Sequence, residues 1–224
     1  MKKAFLIAAI LSAQFISAQV SKNLGDFTTV KVFDKIDVIL VKSDKNSIEL
    51  KGSGAGDVEV VTKNNDLKIR MKLSKLLQGD NVSATVYYSG NINAVEASEG
   101  SRIASSDTFS GTAFELNAKE GAEIRLELDV QKLKSKASSG GILNISGSAD
   151  NHDSTINSGG ILKGEDLQTQ QTSISITAGG EADIYASEYV DAKTNAGGDI
   201  TIFGNPKQVD KKQFAGGNIK VSGE

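Results

Sequence analysis

The chain has no cysteine and no tryptophan, and only one proline and one histidine among its 224 residues. Without cysteine no disulfide can staple the fold, so stability must come from buried apolar area and backbone hydrogen bonds. One histidine and no thiol leave almost nothing for zinc to bind. A basic excess is missing too: 25 Lys and Arg stand against 28 Asp and Glu, a formal net charge of −3. Phosphate backbones are bound through basic stripes, so nucleic acid is not an expected partner, and anionic membrane surfaces are disfavoured for the same reason. Long helical periodicity is absent. Only residues 73–77 read as a short helical or turn-rich insert.

One apolar run stands at the N-terminus. Lys2 and Lys3 precede apolar residues 4–16, and Ser17-Ala18 precede Gln19. This is the order of a secretory signal peptide, residues 1–18, with cleavage expected after Ala18. The alternative is a membrane anchor, but the run falls short of the roughly 20 residues a span requires. No later segment is apolar enough to cross a bilayer, and no cysteine is present to carry a lipid. The mature chain is therefore not expected to be an integral membrane protein. Loss of Lys2 and Lys3 takes the net charge from −3 to −5. What remains suffices for one sizeable domain.

What the chain has in abundance is glycine, 23 residues, set among short runs of Val, Ile, Ser and Thr. Gly100, Gly121, Gly140, Gly159, Gly179, Gly197 and Gly216 follow one another at intervals of 21, 19, 19, 20, 18 and 19 residues. The last five are doubled by Gly141, Gly160, Gly180, Gly198 and Gly217. Three residues after each first glycine stand Ile103, Ile124, Leu143, Leu162, Ala182, Ile200 and Ile219. The column five residues on is also mainly apolar, and the column between them is mainly polar. That alternation marks half-buried strands.

A period near 19 is too short for a strand plus a packed helix, and one unit cannot bury its own apolar face. Stacking buries it continuously. The expected fold is therefore all-β, a single-stranded parallel β-helix (β-solenoid) with about 19 residues per coil and glycine at the corners. A right-handed coil is expected, because parallel crossovers generally are right-handed. Small interior residues imply a narrow, filled interior. Residues 91–224 form the regular coils. Residues 19–90 read as strands at 28–32, 36–42, 47–52, 58–62, 66–72 and 81–88, expected either to continue the stack or to cap it.

Phe33-Asp-Lys-Ile-Asp-Val-Ile-Leu-Val-Lys42, then Ser47-Ile-Glu-Leu-Lys-Gly52 and Asp66-Leu-Lys-Ile69, resemble the opening of the head GIN domain family of auto-transporter adhesins. The Gly-Gly coils after Ala97 resemble that family's C-terminal half. The resemblance implies an exported β-helical protein of a Gram-negative-type envelope and brings no catalytic residues with it. The family's naming tripeptide, Gly-Ile-Asn, stands here as Lys35-Ile36-Asp37. Nothing after Gly204 supplies the strands of a membrane barrel, so export is expected through another system.

Candidate chemistry is sparse. His152, followed by Asp153 and Ser154, is expected to be an exposed loop histidine between coils, since adjacent side chains on a strand face opposite ways and do not converge. Glu181, Asp183 and Asp199 are expected on one outward face of adjacent coils. Paired carboxylates there could serve as acid and base or hold Ca²⁺, or simply form a solvated face. Tyr185 is the one tyrosine at an outward repeat position, a weak signal for a sugar platform. Ile142 and Ile161 occupy an otherwise mainly polar or charged outward column in adjacent coils and are the candidate interaction patch. The alternative is that they are covered by a long loop of the next coil, or that the register shifts locally. No catalytic, cofactor-binding or metal-ligating residue is assigned.

The resulting expectation is an exported, non-enzymatic β-solenoid: an adhesin or cell-envelope binding or structural module with a protein or glycan partner, residing in the periplasm, at the surface or outside the cell. The alternatives are a carbohydrate-active β-helix enzyme and an envelope protein with no specific ligand.

Overall fold

The structure, a computed structural model, describes residues 20–223. The expected signal peptide, residues 1–18, lies outside the described residues. The chain is a stack of parallel strands, and its columns form continuous ladders. Val38, Ile103, Ile124, Leu143, Leu162, Ala182, Ile200 and Ile219 are successive register partners. All are buried. A second interior row runs Val32, Ala97, Ala118, Ala137, Ile156, Ile176 and Thr194. Burying an aliphatic side chain as large as Ile or Leu stabilises by about 1.5–3 kcal/mol, so the two rows carry much of what disulfides would otherwise supply. The small residues of the second row make the interior narrow, as the sequence implies.

The strands are longer than the repeat alone indicates. Arg102–Lys119, Glu123–Ser138 and Ile142–Asn157 each run from one glycine corner to the next without interruption. Farther along, each rung is split in two, as in Glu181–Tyr185 and Tyr189–Asn195.

The first four corners are type I′ turns. Ser98 to Ser101 is closed by a hydrogen bond from the Ser101 N–H to the Ser98 carbonyl (3.1 Å). Its central residues Glu99 and Gly100 have φ of 55° and 72°. Two left-handed residues are what this turn requires, and glycine meets that requirement without a Cβ penalty. The second glycine of the doubled corners has a different task. At Gly141 the φ is ordinary, but a Cβ would run into the Ala118 carbonyl of the preceding rung. At the Gly140-Gly141 and Gly159-Gly160 corners one glycine thus serves backbone conformation and the next close approach, whereas Gly180, Gly198 and Gly217 meet both demands at once.

The N-terminal part both continues the stack and caps it, in an order the sequence does not display. Thr29–Val32 and Asp37–Lys42 form the rung that pairs with Ala94–Ala97 and the start of Arg102–Lys119. On its other side the same rung pairs with Asp66–Met71 and Ser83–Tyr88. The segment between Lys42 and Ala94 therefore builds the outermost rung before the chain returns to the third. Antiparallel strands then close that end. Val58–Lys63 pairs with Asp66–Met71, Ser47–Lys51 with Ser83–Tyr88, and Val20–Asn23 with Ser47–Lys51. The 73–77 insert is a short 3-10 turn, Leu73–Lys75.

At the opposite end, among the described residues, no further strand follows, and Gln208–Phe214 and Asn218–Val221 pair on one side only. There Lys211 and Gln213 occupy the columns that the rung beneath fills with Ala192 and Thr194. A charge on an interior column blocks addition of a further strand.

Candidate binding surface

With the interior filled, the chemistry of this chain lies on its outward columns and in one buried polar seam. Ile142 and Ile161 are direct register partners, both half-buried, and Glu123 and Glu181 stand above and below them in the same column. The two isoleucines thus form a small apolar spot within an acidic ladder. Glu181 and Asp199 are also register partners, while Asp183 lies in another column between Lys163 and Thr201. Among the described residues no three acidic or histidine side chains converge as a metal site.

His152 is not an exposed loop residue. It lies inside the continuous strand Ile142–Asn157, 4% exposed, between Leu133 and Thr172 in an interior row. The Asp150-Asn-His-Asp153 stretch reads as a loop by composition, but the strand runs straight through it. Counting back in twos from Ile156 through Ser154 to His152 would have shown its inward direction. Ser135 Oγ donates to Ser154 Oγ (2.9 Å) and lies 2.7 Å from His152 Nε2, where it can accept the ring N–H. Burial pushes the imidazole down to about 4, so it is neutral at physiological pH. Asp153 points the other way, to solvent. The His-Asp-Ser sequence therefore does not assemble as a catalytic group.

Of the tyrosines, Tyr88 is buried and stacks on Phe109 with ring centroids 5.6 Å apart. Burial, then the charge and hydrogen bond of Asp107, hold its phenol well above the ordinary tyrosine range. Tyr189 donates to Asp210 (2.8 Å). Tyr185 is half-buried, faces outward as its position in the repeat requires, and rests its ring against Gly204, where a Cβ would strike it.

Tyr185 also closes one end of a shallow trough that runs along the stack at the second bend of the rungs. One outward row beside it is Ser110, Asp129, Ser148 and Gln168, in register. Gln131, Asp150 and Gln170 line it as well, at the bend, where two successive residues of each rung are exposed and the strict alternation breaks. Buried Val130, Ala149 and Thr169 form the floor. Ser148 Oγ donates to Asp129 (2.9 Å), and Gln170 Nε2 to Asp150 (3.1 Å). Sequence reasoning missed the trough, because its residues are ordinary polar types; the broken alternation at 131–132, 150–151 and 170–171 was the available signal.

Asp34 was missed as well. It is 1% exposed and accepts hydrogen bonds from the Met71 (3.0 Å) and Leu77 (2.9 Å) N–H groups, pinning the 73–77 turn at both ends. Asp34 and Lys35 take φ of 59° and 63°, the same pair of left-handed residues as at the glycine corners. Lys35 thus stands at the position taken by glycine in the family's Gly-Ile-Asn signature.

These ladders, corners and capped end define a parallel β-solenoid. The chain belongs to the family described as "Putative auto-transporter adhesin, head GIN domain", whose profile matches residues 26–206. Its fold is that of a "putative adhesin" from Bacteroides fragilis NCTC 9343, 17% identical, with a TM-score of 0.84 over 93% of this chain and 98% of that one. A "putative adhesin" from Parabacteroides distasonis ATCC 8503 is 22% identical, with a TM-score of 0.70 over 92% and 98%. A "Putative lipid binding protein" from the same organism is 16% identical, with a TM-score of 0.70 over 92% and 96%. No curated protein matches the sequence.

Proposed function

We propose that the chain is an exported, non-catalytic binding module of the cell envelope, which recognises its partner through the outward columns of the solenoid. The observation that carries this reading is the continuity of the ladders. Interior rows are occupied by side chains from one end to the other, so recognition falls to a surface of regularly spaced outward groups. Membership of a family described as adhesins supports the same reading. The signal-like N-terminus supports export, and among the described residues no helix is long and apolar enough to cross a membrane.

The Ile142–Ile161 pair is proposed as a contact point for a protein partner, because an apolar spot flanked along its column by Glu123 and Glu181 gains from being covered. The test combines location with binding. Cells expressing the tagged protein are fractionated and treated with external protease, and cells lacking the gene are compared for attachment to surfaces and to one another. Surface exposure with reduced attachment is expected. A protein retained in the cytoplasm would overturn export, and unchanged attachment would overturn adhesion. If Ile142→Lys with Ile161→Lys leaves attachment intact, the isoleucine pair is not the contact.

A further inference from the structure

We infer that the trough between Asp129 and Tyr185 is a binding site for an uncharged, hydroxyl-rich linear glycan; this rests on the binding-module reading above and names its ligand class. Three features lead there. First, the lining offers both halves of a hydrogen-bonding dialogue with sugar hydroxyls. Gln168 and Gln170 present amides, Asp129 and Asp150 present acceptors, and Ser148 a hydroxyl, all on exposed or accessible positions. An amide both donates and accepts, as a hydroxyl does, so each can be matched without a buried unsatisfied group.

Second, the charge is wrong for anionic ligands. Among the described residues, no lysine or arginine lines the trough, and the only ionisable side chains in it besides the Tyr185 phenol are the two aspartates. Phosphate, sulfate and uronate groups would meet repulsion with no compensating cation. Third, the spacing suits a polymer. In-register groups on adjacent rungs recur at about 4.8 Å, close to the length of one pyranose ring, so a chain laid along the stack meets an equivalent side chain at each sugar. The floor consists of the buried, modest-sized Val130, Ala149 and Thr169, and Tyr185 at the end offers an aromatic side chain to the C–H face of a sugar.

The existing hydrogen bonds fit a waiting site. Ser148 to Asp129 and Gln170 to Asp150 hold the lining side chains in place along the row. A preorganised lining loses less side-chain freedom on binding.

The test is calorimetric titration of the mature protein with neutral linear oligosaccharides (gluco-, manno- and xylo-oligomers of two to six units) and with a sulfated and a uronate oligomer. At least one neutral series is expected to bind, more tightly with length until the trough is filled, with little dependence on salt, while the anionic oligomers do not bind. Gln168→Ala and Gln170→Ala are each expected to weaken binding about fivefold, one neutral hydrogen bond's worth. Tyr185→Ala is expected to weaken it about tenfold. Because Tyr185 packs on Gly204, Tyr185→Phe serves as its folded control and should retain most affinity. The proposal is overturned if no neutral oligomer binds, if binding survives both glutamine substitutions, or if anionic oligomers bind best. Its failure is distinguishable from failure of the broader reading: a surface-exposed protein that still promotes attachment but ignores neutral glycans rejects the trough and leaves the binding module standing.

Discussion

Acidification should destabilise this protein through His152 in a way that can be isolated from its carboxylates. The imidazole lies on an interior row, and burial lowers its pKa from 6.5 to about 4. Between those values the unfolded chain binds a proton that the folded chain refuses. Stability from this group is therefore complete above about pH 6.5 and is lost progressively as pH falls towards 4. At 1.36 kcal/mol per pKa unit, the full difference is about 3 kcal/mol, a sizeable part of a domain's net stability. Acidic residues titrate in the same range, so the assay is a comparison with His152→Leu, which places an aliphatic side chain beside Leu133 and leaves Ser135 bonded to Ser154. Urea unfolding followed by far-UV circular dichroism from pH 7.5 to pH 4 yields two stability curves. Common carboxylate effects cancel in their difference. That difference should shift by about 3 kcal/mol in favour of the variant across the window. Parallel curves would mean that His152 is solvated or already paired in its charged form, and the reasoning from burial would fail.

Three further outcomes follow from the backbone. Lys35→Gly should raise stability by up to about 1 kcal/mol, since relief of left-handed strain exceeds the extra entropy of the unfolded glycine and the exposed Lys35–Asp80 pair contributes little; a lower urea midpoint would refute it. Gly141→Ala should be costlier than Gly140→Ala, because the first drives a methyl into the Ala118 carbonyl while the second meets open space and pays only for φ. Equal midpoints would remove close approach as the reason for the second glycine. Lys211→Val with Gln213→Ile should convert the Gln208–Phe214 end into an aggregating edge, visible as concentration-dependent association in sedimentation velocity, whereas a monomer at all concentrations would show that these residues do not guard it.

The repeat was legible because a solenoid makes tertiary contacts echo sequence spacing. Residues one period apart become register partners, so the row from Ile103 to Ile219 could be written down from the glycine positions alone. The division of outward from inward columns came by the same route, while the family resemblance rested also on the non-repeating segments 33–42, 47–52 and 66–69. The threading of the N-terminal rungs did not. Thr29–Val32 sits between Asp66–Met71 and Ala94–Ala97, and no periodicity records that a later segment lies outside an earlier one. Such an order is set by which edge is left unpaired and which loop is long enough to cover it. His152 was misplaced for a related reason: polar composition looks like a loop until neighbouring rungs carry the strand through it. The trough, likewise, is made of unremarkable side chains that become a site only where several rungs bend together. Local spacing determined what stacks on what; the long-range course of the chain decided which ends are closed, which polar groups are interior, and where the surface offers a place to bind.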